Sequence, residues 1–107
     1  MTDKEFQIVL NKRIDLIKHV LGAKAKEYAS DEDRLHNFHV ASRMDGITTQ
    51  QAIWGMLMKH LVSVKDLVDG SLEPTADIVD EKIGDLINYL ILLEASFNEN
   101  PISTPSV

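Results

Sequence analysis

Apolar positions in this chain recur every three or four residues almost from end to end. Phe6, Val9, Leu10, Ile14, Ile17, Leu21 and Ala25 trace one stripe, with Lys, Asp and Asn between them. That period predicts an amphipathic helix over residues 4–28, with Thr2 or Asp3 as its cap. A helix of that length exceeds the usual run of about 8–20 residues, so a break is expected near Gly22. Ser30-Asp31-Glu32-Asp33 supplies a cap and an acidic first turn for a second, shorter helix bearing Leu35, Phe38, Val40, Ala41 and Met44. Asp45-Gly46 ends it, the glycine suiting a left-handed C-terminal position. Thr48 or Thr49 starts a third helix, with Gln50 or Gln51 near the capping-box position. Its apolar side holds Ala52, Ile53, Met56, Leu57, His60, Leu61, Val64, Leu67 and Val68, and Asp69-Gly70-Ser71 closes it. Pro74 suits the first turn of a fourth helix over residues 74–97. No alternating strand pattern and no internal repeat is present. The expected architecture is an all-α bundle of about four helices forming a single domain over 1–97. Residues 98–107 hold Pro101 and Pro105 among small polar residues and are expected to form a loose tail.

The fourth helix is apolar on nearly every side: Ile83, Leu86, Ile87, Tyr89 and the run Leu90 to Leu93. Such a helix is either central or buried in a subunit interface, which in a chain of 107 residues predicts a homo-oligomer, dimer or tetramer. Charge narrows the function classes further. The formal net charge is −6 and no run of Lys or Arg exists, which argues against direct nucleic-acid binding. The absence of cysteine excludes disulfides, thiolate metal sites and cysteine nucleophiles. With a charged N-terminus and no apolar run near the ~20 residues of a membrane span, a cytoplasmic, membrane-free protein is expected.

One polar stripe interrupts the apolar fourth helix. Glu81, Asp85 and Asn88 fall at i, i+4 and i+7, so two carboxylates and an amide share a face. Hard cations such as Mg²⁺ take carboxylate oxygens, and an amide one turn on can hold a phosphate, a sugar or a base edge. A solvated stripe near a helix start has the same pattern. On the third helix Lys59 could contact phosphate, His60 could act as a base or ligand, and Asp66 lies two turns beyond Lys59, placed to join a carboxylate cluster. The ordinary alternative for His60 is a core-edge histidine. His36 and His39, with Asp33 a turn earlier, have spacing that a transition metal can use, although no third strong ligand is near in sequence. Phosphate-binding glycine loops, dinucleotide fingerprints and the serine-hydrolase elbow are all missing.

The order Lys26-Glu27-Tyr28, Asn37-Phe38, Lys59-His60 and then Asp80-Glu81-Lys82-Ile83-Gly84-Asp85-Leu86-Ile87-Asn88-Tyr89 resembles small phage and prophage proteins. These are similar to the nucleotide-modification-associated domain and, more distantly, to MazG-like all-α nucleotide pyrophosphohydrolases. The resemblance covers residues 20–95. It implies an oligomer that hydrolyses a nucleoside triphosphate to a monophosphate and pyrophosphate with Mg²⁺. Glu81 and Asp85 would hold the metal and serve catalysis, with Asp66 as a third ligand. Asn88 would contact the nucleotide, and Lys59 and His60 the phosphates. The family's second acidic pair, Glu-x-x-Glu, is absent. The matching helix reads Met58 to Asp66, with Lys59 and His60 about where acids would stand. A nucleotide binder that does not cleave, or a non-catalytic helical oligomer serving assembly, is the alternative.

Overall fold

Hydrogen bonds at the helix ends explain most of the secondary structure. The Thr2 hydroxyl accepts from the Glu5 amide at 3.1 Å and opens α1 (Asp3–Ile17). The computed structural model describes residues 1–23 and 33–99. All regular structure among them is helical: after α1 come a π-helical turn (Lys18–Ala23), α2 (His36–Asp45), α3 (Thr49–Asp69) and α4 (Ala76–Glu99). The chain divides into two compact units, Met1–Arg34 and Leu35–Val107.

In the first unit, the α-helical stripe expected over 4–28 stops at Ile17, and the next turn widens to π over Lys18–Ala23, where Gly22 sits. No residue of α1 is buried, and Phe6, Ile8 and Val9 are more than half exposed. The Arg34 guanidinium donates to the Leu21 carbonyl. Tyr28 and the expected Ser30-Asp31-Glu32 cap lie outside the described residues.

In the second unit, α2 starts after Leu35 with no side-chain cap, the Leu35 carbonyl accepting from the amides of Phe38 and His39. Gly46 ends α2 at φ 66° and Gly70 ends α3 at φ 81°, both in the left-handed region that glycine enters without penalty. Thr48 and Gln51 form a reciprocal capping box, 3.0 and 2.9 Å, at the start of α3. The Thr75 hydroxyl accepts from Ile78 at 3.3 Å and opens α4, so Pro74 stands ahead of the helix and not within its first turn. Asn98 and Glu99, expected in the tail, are the last residues of α4; the rest of the tail lies outside the described residues.

Helices α3 and α4 form an antiparallel hairpin: Gln50 meets Ser96 at one end and His60 approaches Asp85 midway along. Ile53 and Leu57 of α3 are fully buried, joined by Ala52 and by Leu35 ahead of α2. The inward face of α4 is not its apolar side. Gly84, Asn88 and Ser96 are its buried residues, whereas Leu90 and Ile91 are exposed. Small inward residues let two helix axes approach closely, since the interaxial distance follows the side chains at the contact. No described helix is long and apolar enough to cross a membrane.

The core is small, so each buried apolar residue matters. Leu57→Ala is expected to cost about 2–5 kcal/mol, read as a lower urea midpoint at unchanged slope. Val62→Ala on the exposed side of the same helix should change stability by less than about 0.5 kcal/mol. Equal losses in the two variants would contradict this placement of the core.

Candidate functional site on the α3–α4 seam

The capping box fixes where α3 begins, and a clasp fixes how α4 lies against it. Gln50 Nε2 donates to the Ser96 carbonyl at 3.0 Å, and the Ser96 hydroxyl donates to Leu93 O at 2.6 Å. Three turns along, this register sets His60 beside Asp85 and Tyr89. The His60 and Tyr89 rings lie 4.5 Å apart at 34°, and Phe38 of α2 meets Tyr89 edge-on at 6.1 Å and 77°. His60 Nδ1 is 3.6 Å from Asp85 Oδ2. That distance is beyond a hydrogen bond and within ion-pair reach when the ring is protonated. Both side chains are part-exposed, so this charge contact adds little stability.

Asn88 lies one turn from Asp85 and is 9% exposed. Its Oδ1 is buried with no hydrogen-bond partner among the described residues. An unmade hydrogen bond of this kind costs about 1–3 kcal/mol, and native proteins rarely leave one without a use. Because Oδ1 is an acceptor, an N–H, an O–H or a bound cation would satisfy it.

The other expected site residues are placed more loosely. Glu81 is exposed, with Lys82 Nζ 3.4 Å from Oε1. Asp66 is half-buried and takes part through its backbone, its carbonyl accepting from Leu72 N. Among the described residues Glu81, Asp85 and Asp66 do not gather closely enough to share one ion. Lys59 is exposed and pairs with neither Glu81 nor Asp85. Thus three of the expected residues, His60, Asp85 and Asn88, occupy one stretch of the seam, and Glu81 lies a turn away on its rim. Two carboxylates one turn apart suit a hard cation, but they supply only half of a two-helix acidic cage.

Tyr89 was not singled out by its spacing, although it stands four residues after Asp85 and therefore on the same face. Of the histidine pair, His39 Nε2 lies 2.6 Å from Glu99 Oε1, tying α2 to the end of α4, and His36 is exposed. Compared with family models, curated proteins and solved structures, the chain matches none.

If Asn88 is kept for a ligand, its removal should help the empty fold. Asn88→Leu is expected to raise stability by about 1 kcal/mol in urea, since an apolar side chain of similar volume leaves nothing unsatisfied. A loss of stability would show that Asn88 is a structural residue.

Proposed function

We propose that this chain is a MazG-like helical protein of the phage type that binds a nucleotide with Mg²⁺ at the α3–α4 seam, as a homo-oligomer. One observation carries the reading: His60 on α3 approaches Asp85 on α4, 25 residues on in sequence, and one turn from Asp85 the buried Asn88 Oδ1 has no hydrogen-bond partner among the described residues. In this reading Asn88 Oδ1 accepts from the nucleotide, and the exposed Lys59 ammonium and His60 face its phosphates. Glu81 and Asp85 supply oxygens for the ion. Mg²⁺, when bound there, offsets phosphate charge. With no Glu-x-x-Glu partner and with Asp66 apart from the other two acids, the proposal is for binding. Hydrolysis to a monophosphate and pyrophosphate is what the family resemblance adds.

A second reading is a non-catalytic oligomer that serves assembly. The exposed Trp54, Leu61, Val62 and Val68 of α3, with Leu90 of α4, favour it, because apolar surface left uncovered on this scale marks a protein contact.

Calorimetric titration of a panel of nucleoside triphosphates in Mg²⁺, with pyrophosphate release followed in parallel, separates the two. Wild type is expected to bind at least one nucleotide, and Asp85→Ala to weaken that binding about tenfold or more, equivalent to about 1.4 kcal/mol. Any pyrophosphate release should vanish in the variant. If no nucleotide binds with Mg²⁺ present, the nucleotide reading is wrong and the assembly reading stands.

A further inference from the structure

Helix α3 carries two apolar stripes. The inner one, through Ile53 and Leu57, is buried. The second, turned from it by about 100°, runs Trp54, Met58, Leu61, Lys65 and Val68, in steps of four, three, four and three. These are the steps of a coiled-coil seam, yet they lie on the exposed side: Trp54 is 50% and Val68 79% exposed. Gly55 lies beside the stripe, and nothing stands within 4 Å of where its Cβ would be. A glycine inside a helix destabilises it relative to alanine, and no close packing among the described residues uses the gap.

Charge selects what can cover this face. Helix α3 balances Lys59 and Lys65 against Asp66 and Asp69, and Lys65 is tied to Asp69 at 2.5 Å. Helix α4 sets Asp77, Asp80, Glu81, Asp85, Glu94 and Glu99 against Lys82 alone. Of the two long helices, only α3 can meet a copy of itself without like-charge repulsion.

We propose that two copies of this chain pair through the Trp54–Val68 stripe of α3, antiparallel, about a two-fold axis between Met58 and Leu61. Positions 54, 58, 61 and 65 are spaced four, three, four, which reads the same in both directions, as a self-complementary contact requires. The axis sets Met58 against Leu61 of the partner subunit and Trp54 against Lys65 of the partner subunit. The indole face then takes the lysine stem and ammonium, a cation–π contact. Gly55 leaves room for the approach. The inference rests on the homo-oligomeric part of the function proposed above and assigns it to α3, where the apolar character of the fourth helix had pointed to α4.

Trp54 is the chain's one tryptophan, so its emission reports burial of this stripe alone. Sedimentation equilibrium of the full chain, with emission recorded over the same concentrations, should show a dimer whose formation shifts Trp54 emission to the blue in step with mass. Leu61→Glu should be monomeric and red-emitting with helical circular dichroism unchanged. Lys65→Glu, which alters no buried residue, should weaken the dimer several-fold. Leu90→Glu on α4 should stay dimeric. A wild type that is monomeric throughout, a Leu61→Glu protein that still dimerises, or association lost only in Leu90→Glu would each overturn the proposal. Nucleotide binding is not read in this experiment, so failure here is distinct from failure of the nucleotide site.

Discussion

The clasp between Gln50 and the Ser96 carbonyl sets the register on which the second unit depends. A neutral hydrogen bond adds only about 0.5–1.5 kcal/mol, so its value lies in choosing one alignment of α3 on α4. A slip of one turn would move α4 by about 5.4 Å and part His60 from Asp85 and Tyr89. The fully buried Ser96, the buried Gly84 and the left-handed turn at Gly70 all agree with that one alignment. Agreement among independent local features is what gives a small core a single structure.

The same seam carries a cost. Its inward face on α4 is glycine, asparagine and serine where leucines were available in the same helix. The seam therefore leaves an acceptor of Asn88 without a partner among the described residues, while Leu90 and Ile91 look outward. Polar residues along the seam and exposed apolar residues outside it are sensible if the seam serves a ligand and the exterior meets protein, and each half of the proposed function uses one of them.

Local signals made the helix ends legible. Caps act within a few residues, so the chain alone points to glycines 46 and 70 and narrows the start of α3 to Thr48 or Thr49 with Gln50 or Gln51, of which Thr48 and Gln51 form the box. The rotation of α4 was not legible, because a helix apolar nearly all round has no phase to read. The inward ridge runs in steps of four, through Gly84, Asn88, Leu92 and Ser96, and extrapolates back to Asp80. A stripe defined as Glu81, Asp85 and Asn88 crosses that ridge: Asn88 goes inside, Asp85 to the rim and Glu81 to solvent. The nearness of His60 to Asp85 depends on inter-helix register, which spacing along one helix does not encode. For the same reason Asp66, two turns from Lys59 by count, did not join the carboxylates.

The most direct test of the seam as a ligand site is the side-chain amide resonance of Asn88, followed by nuclear magnetic resonance during titration with a Mg²⁺–nucleoside triphosphate. This signal and that of the His60 ring are expected to move together and saturate at one equivalent per chain. Binding that shifts residues elsewhere and leaves both signals in place would contradict it.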